Sequence, residues 1–139
     1  MKDSLQTLSR IQKFSIDEQR KKLNEQLSVE ERIVQALKNL NKQFELEKEF
    51  AREHGNVGDF GAYVKHYLEQ KDSLEQALEM VRFKIEEIKD IITDMYKEQK
   101  TYEIVDDNRK RRQAKEEEHK MQQTLDEIGT NTYIKKHKS

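Results

Sequence analysis

Apolar residues recur in alternating steps of four and three through the second half of the chain, at Phe60, Val64, Tyr67, Lys71, Leu74, Leu78, Val81, Ile85, Ile88, Ile92, Met95, Gln99 and Tyr102. Only Lys71 and Gln99 break the run. An average spacing of about 3.5 residues keeps one seam of a helix against a partner helix while the two wind left-handed around each other. The pattern predicts a helix over about 60–128, half of a coiled coil. A second, patchier seam lies upstream. Ile16, Leu23, Glu30, Leu37, Phe44 and Ala51 share one core position, and Leu5, Gln12, Gln19, Gln26, Ile33, Leu40 and Glu47 share the other. This predicts a first helix over about 3–52, with Asp3 or Ser4 as its N-cap. Leu27 and Val34 lie beside that seam and widen it. Ser15 to Glu18 and Ser28 to Glu31 match capping boxes, but no Gly or Pro precedes either, and both read as chance matches inside a helix.

The chain has no proline, and three of its four glycines, Gly55, Gly58 and Gly61, fall close together. The turn is therefore placed at about 53–59. Gly55 or Asn56 can take the left-handed conformation that ends a helix, and Asp59 can cap the next one. If Ala51 faces Phe60, the numbers of facing residues sum to 111. That register pairs Phe44 with Tyr67, Leu40 with Lys71, Leu37 with Leu74, Ile33 with Leu78, Glu30 with Val81, Gln26 with Ile85, Leu23 with Ile88, Gln19 with Ile92 and Ile16 with Met95. Long polar stems can cover their aliphatic partners in the mixed layers. Asp106 would face Leu5, so residues beyond about 110 overhang. The fold expected is all-α, a single antiparallel two-helix coiled-coil hairpin with a longer second helix and a flexible tail over 129–139. A helix over 60–128 would be roughly 100 Å long. The same seam serves one chain folding on itself or two chains pairing.

Composition narrows the class. Hydrophobic residues make up 33% of the chain and charged residues 40%. That is too little apolar matter for a compact globular core and suits long helices that each bury one stripe. Formal net charge is −1 with acids and bases interspersed, so no chain-wide field selects nucleic acid or anionic lipid. Cysteine is absent, which excludes disulfides and thiolate chemistry and fits a reducing cytosol. The start of the chain has no apolar run long enough for a signal peptide or membrane span.

The expected overhang opens on a basic cluster, Asn108 to Arg112 with Lys115, between Asp106-Asp107 and Glu116 to Glu118. It reads either as a solvated helix held by neighbouring acids or as a docking patch for an acidic surface. Nucleic acid is a weaker partner, because the flanking acids cancel the field within about a Debye length and no aromatic residue interleaves the cluster. Met121, Leu125 and Ile128 then resume an apolar stripe out of phase with the first seam.

No catalytic constellation, cofactor motif or metal-ligand spacing is present. The chain has no phosphate-binding loop, and His54, His66, His119 and His137 are scattered. Two packed helices also offer no water-excluding pocket. A non-enzymatic protein without cofactors is expected.

Several stretches together resemble the FliJ family of the bacterial flagellar type III export apparatus, and more distantly its injectisome counterpart. They are the opening Leu5, Leu8, Ile11 and Lys13, the break followed by Phe60-Gly-Ala-Tyr63 and Tyr67-Leu68, the long second seam, and Leu125-Asp126-Glu127 ahead of a basic tail. The resemblance covers almost the whole chain. It implies a coiled coil like the two-helix stalk of the ATP synthase gamma subunit, located in the cytoplasm and peripherally associated with the inner-membrane export apparatus. The implied partners are the hexameric export ATPase, the cytoplasmic domain of the export gate membrane protein, and export chaperones. Nucleic acid is not among them, the protein does not insert into the membrane, and alone it is a monomer. For ATPase-ring binding the candidates are Arg109, Lys110, Arg111 and Arg112 of the basic cluster, with Leu125, Asp126 and Glu127 matching the family's C-terminal motif. For the export gate the matching positions are Leu46, Phe50, Tyr63 and Tyr67, of which Tyr67 lies on the seam and reads as core. Lys71 stands where the family tends to carry leucine. A generic coiled-coil scaffold or tether, dimerising through Met121, Leu125 and Ile128, and a prefoldin-like holdase are the competing readings.

Overall fold

The computed structural model describes the backbone of residues 2–55 and 60–138, and the side chains of residues 4–55 and 60–136. Two helices account for all of it except Gly55: α1 spans Lys2–His54 and α2 spans Phe60–Lys138. No strand occurs among the described residues, and the two helices pack against each other. Packing divides the chain into two units, Lys13–Tyr96, and Met1–Gln12 together with Lys97–Ser139.

The ends of the helices follow from local chemistry, with two departures from expectation. Gly55 takes φ +70°, the left-handed conformation that stops α1 and that a side chain would strain. Arg52 and His54 place basic groups in the last turn, where the carbonyls carry partial negative charge. Asn56 and Asp59, the other expected turn and cap residues, lie outside the described residues. α1 already runs from Lys2, ahead of the expected caps Asp3 and Ser4. α2 runs on as helix to Lys138, where a flexible tail was expected from residue 129. Nothing there forces a stop. Proline is absent, Gly129 has no positive φ, and Thr132 returns its hydroxyl to the Ile128 carbonyl at 2.8 Å. A helical glycine costs only about 1 kcal/mol.

Within Lys13–Tyr96, burial follows the heptads. Ile16, Tyr67, Val81 and Ile85 are buried, and Leu23, Gln26, Ile33, Leu37, Leu40 and Phe44 of α1 are half-buried. On α2 the sheltered positions include Val64, Lys71, Leu74, Leu78, Ile88, Ile92 and Met95. Glu47 alone of the α1 seam positions in this unit is exposed. Contacts across the helices fix the partners: Phe44 stacks on Tyr67 with centroids 4.0 Å apart, Tyr67 donates its hydroxyl to Asn41 at 2.6 Å, and Arg82 reaches Glu30 at 3.2 Å. Arg20 donates to the Tyr96 hydroxyl and lies 5.4 Å from its ring centre. Partner numbers on α2 fall as those on α1 rise, and the Phe44–Tyr67 layer is the one the 111 register specifies.

Polar seam residues are accommodated by leaning out. Val81 is buried while the Glu30 carboxylate opposite turns to the Arg82 guanidinium, a partly exposed pair worth at most about 1 kcal/mol. Lys71 stays half-buried along its stem and holds its ammonium 5.9 Å from the centre of the Tyr67 ring.

The other unit has a more polar seam. Leu5, Ser9 and Gln12 on α1 and Gln99, Tyr102, Asp106 and Arg109 on α2 are half-buried. Gln12 donates to Glu98 at 3.1 Å, and Tyr102 donates to the same carboxylate at 2.9 Å, a bond that holds its phenol above the ordinary tyrosine value. Asp106 pairs one oxygen with Lys110 at 3.1 Å, while the other is sheltered from water without a hydrogen-bond partner. Leu8, Ile11, Ile104 and Val105 are exposed. With polar groups inside and apolar groups outside, little apolar burial holds residues 4–12 in place, and they are expected to open locally at low cost.

Candidate functional surfaces

Two surfaces carry the residues picked out from the sequence, one in each unit. Near the end of α1, the aromatic rings of Phe44, Phe60, Tyr63 and Tyr67 gather into one cluster. Phe44 lies 6.5 Å from Phe60 and 6.3 Å from Tyr63, and Phe60 lies 6.1 Å from Tyr63. Tyr67 is 8% exposed, with its ring stacked on Phe44 and its hydroxyl spent on Asn41. It supports the cluster from beneath and leaves little of its own surface exposed. Tyr63 is half-buried at the edge. Its phenol is held above the ordinary value, first by loss of water and then by the Glu47 carboxylate and Tyr67. A raised phenol stays protonated in the folded state, so it contributes stability below pH about 10 that is lost as pH climbs through its folded value.

Leu46 and Phe50, 60% and 53% exposed, stand four residues apart on one face of α1. Phe50 is braced by His54, whose ring stacks on it at 4.3 Å and whose Nδ1 lies 3.2 Å from the Phe50 carbonyl. Of the four residues expected to meet the export gate, two are therefore surface, one is edge and one is core. Position relative to the heptad seam accounts for this: Leu46, Phe50 and Tyr63 lie off it, whereas Tyr67 is on it.

The second surface is the final stretch of α2. Arg109 is half-buried at the last sheltered seam position, and every described side chain from Lys110 to Lys136 is exposed. The expected ring-binding residues thus divide. Arg109 belongs to the seam and Lys110 is held by Asp106, whereas Arg111, Arg112, Leu125, Asp126 and Glu127 stand in solvent. Asp126 accepts from Gln122 at 3.5 Å. Met121, Leu125 and Ile128 are 67%, 56% and 57% exposed.

A third feature lies off the heptad seams. Met80 and Phe83, 65% and 66% exposed, flank a shallow groove with Glu79, Lys84 and Glu87, and Phe14 of α1 is 67% exposed. All three fall on the outer faces of their helices, and an apolar residue off the seam was the signal available for them. Among the described residues no group of three or more His, Asp or Glu side chains could hold a metal ion, and no helix is long and apolar enough to cross a membrane. Comparison with family models, curated proteins and solved structures finds no match to this chain.

Proposed function

We propose that the chain is a non-enzymatic stalk and escort component of a bacterial type III protein-export apparatus of the flagellar kind. In this reading it forms an antiparallel two-helix coiled coil whose longer second helix overhangs the first. It works at the cytoplasmic side of the inner membrane, docks its overhang in the hexameric export ATPase, meets the cytoplasmic domain of the export gate protein through Leu46, Phe50 and Tyr63, and escorts export chaperones. The observation that carries the reading is the change of character at Arg109. Seam positions are sheltered up to that residue, and beyond it α2 continues as helix to Lys138 with every described side chain exposed through Lys136. A long helical segment that buries nothing of its own is suited to a partner's groove or pore.

Charge reversal at Arg109, Lys110, Arg111 and Arg112 is expected to abolish stimulation of a purified export ATPase while circular dichroism stays unchanged. Undiminished stimulation removes the docking role. Exposure of Met121, Leu125 and Ile128 favours one alternative, a scaffold that pairs with a second copy through that stripe. Sedimentation of the intact protein distinguishes the two, since the stalk runs as a monomer and the scaffold as a dimer.

A further inference from the structure

The basic cluster is not uniform around α2. At 3.6 residues per turn, Arg111, Arg112, Lys115 and His119 fall within an arc of about 100° of the helix surface. Asn108 and Gln122 share that arc, and the carboxylates of Asp106, Asp107, Glu116, Glu117 and Glu118 all fall outside it. Arg111, Arg112 and Lys115 are exposed and form no ion pair with any described residue, in contrast to Lys110, which is bound to Asp106. Arg111 and Lys115 stand four residues apart, and Arg112 and Lys115 three apart, so like charges face each other within the arc, while the acids at helical spacing, Asp107, Glu116 and Glu118, lie outside it. An anionic partner relieves that repulsion.

We infer that Arg111, Arg112 and Lys115 form a stripe that docks an acidic polypeptide surface, and that Arg109 and Lys110 do not belong to it. The inference rests on the docking role proposed above only for the partner's identity; the stripe itself is read from geometry and charge. Two guanidinium forks beside an ammonium match carboxylates, which arginine can bind through two parallel hydrogen bonds. A nucleic-acid strand or an anionic bilayer fits less well. Asp107 and Glu118 border the arc and repel a polyanion wider than it, and no Phe, Tyr or Trp in the arc can stack on bases.

The test uses the full chain with poly-L-glutamate as probe at low salt, followed by fluorescence anisotropy. A short DNA duplex and phosphatidylcholine–phosphatidylserine vesicles serve as competing probes. Binding of poly-L-glutamate is expected to weaken by about tenfold or more in the triple variant Arg111→Glu, Arg112→Glu, Lys115→Glu. The double variant Arg109→Glu, Lys110→Glu is expected to change it less than about threefold. A triple glutamine variant repeats the comparison should the glutamates disturb the helix. Equal losses in the triple and double variants, or tighter binding of the duplex or the vesicles than of poly-L-glutamate, overturn the inference. If the stripe binds the polypeptide probe but an export ATPase is not stimulated, the apparatus assignment fails and the stripe stands.

Discussion

Replacing Ile85 with aspartate unfolds the paired helices of Lys13–Tyr96. Ile85 is 4% exposed and is one of four buried apolar side chains among the described residues, with Ile16, Tyr67 and Val81. Removing it forfeits an apolar side chain whose burial contributes about 1.5–3 kcal/mol. The carboxylate put in its place loses water at a buried position where the expected register sets the uncharged Gln26 opposite. Together these cost on the order of 4 kcal/mol, a large share of the stability of a small domain. The expected result is loss of the cooperative transition in a circular dichroism melt. Phe83→Asp is the control, because Phe83 is 66% exposed on the outer face of the same helix and substitutions there stay within about 0.5 kcal/mol. A melt that Ile85→Asp leaves unchanged contradicts the seam.

Phe44→Ala comes second in expected effect. Phe44 is the hub of the aromatic cluster, stacked at 4.0 Å on Tyr67 and within 6.5 Å of Phe60. Truncating it removes the stacking and leaves a void beneath Tyr63 and Tyr67, for an expected loss of about 3 kcal/mol. Tyr67→Phe removes only the hydroxyl bond to Asn41 and costs about 1 kcal/mol. Urea midpoints for the two variants should therefore differ clearly, with Phe44→Ala the lower. The reverse order would show that the hydrogen bond and not the ring stack holds this region.

The seam was legible because a heptad pattern needs only the alternation of apolar and polar positions, and that alternation survives whatever the individual rotamers do. Sheltered positions on α2 keep the four-and-three spacing from Phe60 to Arg109, beyond the last apolar residue of the run at Tyr102. Individual layers were less legible. Which way Glu30 leans depends on Arg82, one position off the seam, and Tyr67 finds its hydroxyl partner in Asn41, an exposed residue that no periodicity singles out. The end of α2 was misplaced because the apolar stripe stops at Ile128, whereas helix needs no stripe to continue once nothing breaks its backbone bonds.

The candidate surfaces were legible in the same uneven way. Leu46 and Phe50 are exposed because they lie off the seam, a matter of counting residues. Tyr63 is also off the seam yet half-buried, since it leans into the cluster made by Phe44 and Phe60, which only the packed structure reveals. The basic run from Arg109 to Arg112 reads as one block in sequence. Packing separates it, with Arg109 in the seam, Lys110 tied to Asp106, and Arg111 and Arg112 left to solvent.

The hairpin requires one polypeptide to close on itself with facing residues whose numbers sum to 111, and the absence of native cysteine allows a direct test. The variant carrying Leu37→Cys and Leu74→Cys, oxidised at high dilution, should give an internally crosslinked monomer that migrates faster than its reduced form. Leu37→Cys combined with Ile85→Cys should not crosslink. Disulfide-linked dimers as the sole product of the first pair, or equal crosslinking of the second, would contradict it.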